Sequence, residues 1–155
     1  MAVQKKAIGE AIKQSYAKGG MAACPVATVN IHVNLKNRNN AIKEYGYGPL
    51  NPEEPSEDFW AKKAKMWQIS VEEAQTARCG NCAAFIQTPA MLACIEKGIH
   101  AEDAQETGME LEKDVVKRSN LGYCELFHFK CAGSRTCDAW LVGGPIKYCH
   151  YCDYF

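Results

Sequence analysis

The sequence lacks most of the features that announce an activity. It contains no phosphate-cradling glycine loop, no Gly-x-Ser-x-Gly nucleophile turn and no His-Glu-x-x-His pair. Carboxylate pairs such as Glu72-Glu73 and Glu102-Asp103 fall at expected helix starts, where they complement the helix dipole. No catalytic constellation emerges, and an enzyme is not expected. No apolar run approaches the length that spans a bilayer, so no membrane association is expected. Met1–Lys6 leads into an amphipathic stretch instead of an apolar signal core, so secretion through a cleaved signal peptide is not expected. Eighteen basic residues balance eighteen acidic ones, so net charge alone points to no polyanionic partner.

What the chain does hold is cysteine. Nine occur in 155 residues, an odd number that cannot be consumed entirely in intramolecular disulfides. In a reducing interior, clustered cysteines are more often metal ligands than structural bridges. An apolar content of 47% excludes a disordered chain and allows one domain with a real core, or a smaller domain with an arm.

Charge is balanced but unevenly placed. Residues 1–43 carry seven Lys or Arg against Glu10 alone, while residues 44–58 carry five acids and no base. A basic arm could meet nucleic acid or an acidic protein surface, but the bases are neither dense nor interleaved with stacking aromatics. A solvated helix face is the plainer reading, and a protein is the expected partner. Apolar spacing predicts a helix over 2–18 ended by Gly19-Gly20. The alternation Val29, Ile31, Val33, Leu35 predicts a half-buried strand over 28–35, with a short helix near 40–45. Gly46-Tyr47-Gly48-Pro49-Leu50-Asn51-Pro52 reads as a break, giving an N-terminal arm (1–52) and a body (53–155). Ser56 is a candidate N-cap, and Ser70 with Glu73 forms a capping box for a helix running towards Cys79. Thr88-Pro89 opens a helix over 90–97 with Gly98 as its C-terminal cap, and a further helix is expected around 101–117. The expected fold class is a small, irregular α+β chain. Its helical arm and a helical insertion at about 86–123 surround a turn-rich cysteine domain.

Three blocks stand out: Cys79-Gly-Asn-Cys82-Ala-Ala-Phe85, Cys124-Glu-Leu-Phe127 and Cys137-Asp-Ala-Trp140. Three of their four cysteines have an aromatic residue three positions later. A thiolate is tolerable in an apolar site when its charge is shared with metal and hydrogen-bonded by backbone N–H groups. Aromatic walls exclude water without adding charge. These blocks resemble those of the high-potential iron–sulfur proteins, small electron carriers that hold one [4Fe-4S] cube. The resemblance covers about 78–146 and implies Cys79, Cys82, Cys124 and Cys137 as ligands, with Phe85, Phe127 and Trp140 walling the cluster. It implies single-electron transfer as the chemistry. The twelve residues between Cys124 and Cys137 match the family's separation. The 41 residues between Cys82 and Cys124 do not, and Arg135-Thr136 stands where the family usually carries Gly-Trp.

The remaining cysteines read differently. Cys24, beside Pro25, and Cys94, with Met91 and Ile95, read as core packing. Cys131 could replace Cys124 or Cys137 as a ligand but has no aromatic three residues later. Cys149 and Cys152 read as structural packing first, then as a disulfide or second metal site. Paired with Cys79 and Cys82 they would make a four-cysteine zinc site, the main alternative cofactor. His128 and His150 read as satisfied histidines. The second functional reading is a structural or assembly protein whose cluster, or zinc ion, staples the fold. In overall appearance the chain is similar to small cysteine-block proteins carried by tailed bacteriophages, which implies a place in a larger assembly. The location expected is the cytoplasm or a virus particle.

Overall fold

The computed structural model describes residues 2–18, 23–103 and 115–148. Six α-helices and a small sheet make an α+β fold, as the sequence leads one to expect. The helices are α1 (Ala2–Ala17), α2 (Val26–Val29), α3 (Ile31–Tyr45), α4 (Glu57–Trp67), α5 (Val71–Thr76) and α6 (Pro89–Asp103). A turn of 3-10 helix spans Cys79–Asn81, and residues 115–118 are helical. The strands β1 (Phe85–Ile86), β2 (Leu121–Cys124) and β3 (Phe129–Ala132) pair antiparallel in the order β1-β2-β3. No described helix is long and apolar enough to cross a membrane.

The strand expected over 28–35 is instead helix. Asn30 ends α2 and caps α3, its side chain accepting the N–H of Val33. The alternating apolar residues do not mark a buried face: Val29, Ile31 and Leu35 are exposed, while Thr28 and Asn34 are buried. Thr28 donates its hydroxyl to the carbonyl of Pro25, and Asn34 accepts the N–H of Lys130. Satisfied in this way, polar groups face inward at little cost, and the period-2 pattern loses its meaning.

The capping box at Ser70 forms as expected on its first half, Ser70 accepting the N–H of Glu73. The helix it opens stops at Thr76, so the first cysteine pair is carried by the 3-10 turn that follows. Gly98 does not cap α6. It lies inside the helix, where α6 crosses the end of α2 so closely that a Cβ would sit 1.7 Å from the Thr28 carbonyl oxygen. Cys24 and Cys94, read as packing thiols, form a disulfide at the same crossing. It joins positions 70 residues apart, a restriction of the unfolded chain worth roughly 4 kcal/mol on the loop-entropy account. The third expected helix lies largely outside the described residues, as does the tail pair Cys149 and Cys152.

Among the described residues three buried groups of side chains organise the interior, a small one joining α4 and α5 through Trp60, Ala64 and Ala74 and two larger ones. One gathers Ile86, Met91, Ile95, Tyr123 and Ile146 with Tyr16 of α1. The other gathers Ala41, Tyr47, Phe85, Phe129 and Leu141 with Cys79, Cys82, Cys131 and Cys137. Ala41 and Tyr47 come from the stretch expected to form an arm, and Ile12 of α1 packs against both groups. The Gly46–Pro52 stretch is stitched to the body as well: Gly48 and Thr136 exchange two backbone hydrogen bonds.

Gly98→Ala is expected to destabilise the protein by about 2 kcal/mol in urea unfolding, because overpacking against Thr28 outweighs the better helix propensity of alanine. An unchanged or raised midpoint would contradict the close crossing.

Candidate metal centre

The first cysteine pair is held from three sides. The N–H of Cys79 donates to the Arg135 carbonyl (2.6 Å), that of Gly80 to Gly133 (2.9 Å), and that of Ala83 to Leu141 (2.9 Å). Trp140 closes the same corner, its Nε1 donating to the Arg78 carbonyl and to Asn81 Oδ1, both at 2.9 Å. Asn81 in turn donates to the Thr76 carbonyl, which ties the turn to the end of α5. The Arg78 guanidinium lies 4.3 Å over the Trp60 ring and donates to the Ser134 carbonyl. The block around Cys79 is therefore bound directly to the block around Cys137.

The second block is a hairpin corner. Cys124 ends β2, its carbonyl accepts the N–H of His128 at 2.8 Å, and β3 returns alongside. Strand alternation then turns Phe129 and Cys131 inward and leaves Lys130 half-buried between them. Gly122 is required here, since a Cβ would meet the Phe85 ring at 2.5 Å.

The third block hangs on α4. Lys63, 4% exposed, binds the Asp138 carboxylate and donates to the Gly46 carbonyl at 2.9 Å, with the Phe59 ring 4.7 Å from its ammonium. Trp67 Nε1 donates to the Asp138 carbonyl, and the Asp138 N–H donates to Tyr45. An ammonium this deep is tolerable only because the carboxylate and carbonyl replace its water.

These elements converge on one small cavity of about 20 Å³, partly open to solvent. Its walls are Cys79, Cys82, Cys124, Cys131 and Cys137 together with Ala84, Phe85, Leu126, Ala139 and Trp140. The four cysteines of the sequence blocks therefore face one space, and Cys131 joins them as a fifth. Phe85 and Trp140 line it. Phe127 is not part of the lining; it stacks on Tyr45 (centroids 4.2 Å apart), and Leu126 takes the wall position in its place. Cys131 carried no aromatic step, but the alternation Phe129-Lys130-Cys131 would have turned it inward with Phe129.

All five cysteines are free thiols, and no charged side chain lines the cavity. Backbone N–H groups nevertheless point at sulfur. Ala84 and Leu141 donate to Cys82 Sγ, both at 3.4 Å, and the backbone amides of Leu126 and Phe127 near Cys124 and of Ala139 near Cys137 favour the charged form of those sulfurs. At Cys82, Cys124 and Cys137 alike, one such amide is that two residues on. The thiol of Cys79 is a neighbour that helps to raise that of Cys131. Burial is the chief cause that raises the thiols of Cys82, Cys131 and Cys137 above their ordinary value and Cys124 to about 12, although Cys124 is only half-buried as a residue. Mutual repulsion adds to this, and the amide donors offset part of it. Among the described residues no three His, Cys, Asp or Glu side chains are grouped so as to hold a metal ion. His128 is engaged with the Tyr123 hydroxyl at 3.2 Å.

Two consequences are measurable. Lys63→Met strands Asp138 beside Cys137 and should cost about 3 kcal/mol in urea unfolding, part of which Lys63→Met/Asp138→Asn recovers; equal stability of both variants would contradict the buried pair. The metal-free protein also has a defined pH response. Thiols with raised values stay protonated in the fold after the unfolded chain begins to ionise near pH 9, so the unfolded state binds fewer protons. Stability should be flat below about pH 8 and fall steadily as pH rises from about 9 to 12, followed by denaturant midpoints. A midpoint that rises over that range would contradict neutral buried thiols.

Comparison of the chain with protein-family models, with curated proteins and with solved structures finds no match.

Proposed function

We propose that this chain holds one [4Fe-4S] cluster in the cysteine-lined cavity and serves as a single-electron carrier of the high-potential type. The observation that carries the reading is the cavity itself: cysteines from three separated blocks line one neutral, apolar space, and two backbone amides donate to the sulfur of Cys82. That donor set suits iron–sulfur chemistry, in which thiolates need both metal and N–H partners. The ligands proposed are Cys79, Cys82, Cys124 and Cys137, with Phe85 and Trp140 as walls. A tetrahedral zinc ion would need its sulfurs drawn to within about 2.3 Å of one point. Here five sulfurs line the space, one more than a tetrahedral zinc ion takes.

When bound, the cluster supplies a one-electron couple. The chain's part is to set the cost of charge. Apolar walls without a balancing cation make each additional negative charge expensive. This favours the couple whose total charge with four thiolates is smaller, which is the high-potential one. The amides that favour charge on Cys82, Cys124 and Cys137 temper that cost, and Trp140 keeps water from the corner it closes.

A second reading rests on a separate observation. Cys79, Cys82, Cys131 and Cys137 belong to a main buried group instead of a surface loop, and the site joins the 3-10 turn, β2, β3 and the 137–140 loop. A metal group there would also staple the fold, as in a structural or assembly protein.

Metal and sulfide analysis of anaerobically purified protein tests the assignment. About four irons and four sulfides per chain, with a visible band lost in Cys124→Ser, are expected. One zinc per chain and no visible band would contradict it. Voltammetry separates the two roles: a carrier gives a reversible one-electron couple, whereas a staple gives none and unfolds on losing its metal.

A further inference from the structure

Arg135 and Thr136, the pair that stands where the resembled family usually carries Gly-Trp, hold three buried side-chain atoms without a hydrogen-bond partner. These are Arg135 Nε, Arg135 Nη1 and Thr136 Oγ1. The guanidinium keeps one bond, from Nη2 to the Leu50 carbonyl at 3.1 Å. Ion pairs among the described residues join Lys43 to Glu44 and Lys63 to Asp138, and neither includes Arg135. A guanidinium is always charged, and a buried charge is costly unless an opposite charge faces it.

Arg135 does not line the cavity but stands one side chain away from its cysteines. The guanidinium carbon lies 5.6 Å from the centre of the Tyr47 ring, and Tyr47 belongs to the buried group of Cys79, Cys82, Cys131 and Cys137. The Arg135 backbone is fixed to the same cysteine segments. Its carbonyl accepts the N–H of Cys79 at 2.6 Å, and its own N–H donates at 3.2 Å to Ala132, which follows Cys131. Cys137 comes two residues later.

We propose that Arg135 is the fixed counter-cation of the cysteine site, favouring a negatively charged group in the cavity and raising the potential at which that group takes up an electron. This rests on the cluster reading above. Four thiolates outweigh the positive charge of a [4Fe-4S] core, and each added electron makes the whole more negative. A fixed cation across low-dielectric packing therefore stabilises the reduced form more than the oxidised one. The cavity walls hold no cation of their own, and Arg135 acts from behind them as a positioning charge. In the metal-free chain the same charge faces no anion, so there it opposes folding.

Measurements on the metal-free and the loaded protein test this with opposite signs. In urea unfolding of the metal-free chain, Arg135→Met removes an uncompensated buried charge and should raise the midpoint. An unchanged or lowered midpoint would overturn the proposal, because the guanidinium would then serve the fold. In voltammetry of the anaerobically reconstituted protein, Arg135→Met should lower the reduction potential, so that the ratio of reduced to oxidised protein at a fixed potential falls about tenfold. Arg135→Lys keeps the charge and should stay closer to the unchanged chain. Thr136→Val removes the neighbouring hydroxyl without changing charge and should leave the potential where it is. No fall in Arg135→Met, or an equal fall in Arg135→Lys or Thr136→Val, overturns the proposal. If Arg135→Met takes up no iron and sulfide, uptake by Arg135→Lys supports the proposal and loss in both overturns it. Absence of iron and sulfide from the unchanged chain refutes the cluster reading and this inference with it, whereas a failure confined to the Arg135 variants leaves that reading standing.

Discussion

The fold depends on bringing five sulfurs to one place in its interior without a single ionic partner lining that place. An apolar core normally gains stability from methylene groups that want nothing further; here much of one buried group is thiol, and the surrounding segments are short and irregular. Such a core is held by hydrogen bonds as much as by packing. The N–H groups of Cys79, Gly80 and Ala83 reach across to residues 133–141, Trp140 donates back to the Cys79 turn, and Lys63 pins Asp138 from α4. Each of these contacts fixes the backbone next to a cysteine, so the positions of the sulfurs follow from bonds made just outside the cavity.

The same constraint explains why the N-terminal stretch is no loose appendage. Tyr47 reaches into the cysteine core with its hydroxyl accepting the N–H of Ala132, and its ring meets Phe129 edge-on at 4.9 Å. Asn34 and Asn37 bind the backbone of the β2–β3 hairpin through Lys130 and His128. Tyr16 binds the Glu125 carboxylate beside Cys124, and burial together with that bond holds its hydroxyl well above its ordinary range. These contacts brace the hairpin that carries Cys124 and Cys131.

Much of this was legible in the sequence, and the exceptions have definite causes. Helices with strong local signals, such as α4 after Ser56 and α5 from its Ser70 cap, lie where caps and spacing predict. The three cysteine blocks face one cavity, as their shared pattern suggests. The 28–35 stretch misled because its apolar residues face outward while Thr28 and Asn34 face inward, a choice made by partners remote in sequence. Gly98 looked like a helix cap but is a notch for Thr28, and the Cys24–Cys94 bridge depends on that same crossing. Connectivity of this kind is not carried by local pattern. Cys131 has no aromatic step; its inward face follows from strand alternation with Phe129.

The central claim is that the cysteines enclose a polynuclear cluster and not a single ion. X-ray absorption at the iron edge of the anaerobically loaded protein tests it most directly. The account predicts a sulfur shell together with a second shell from neighbouring iron, both lost in Cys124→Ser. Metal surrounded by sulfur alone, with no metal neighbour, would contradict it.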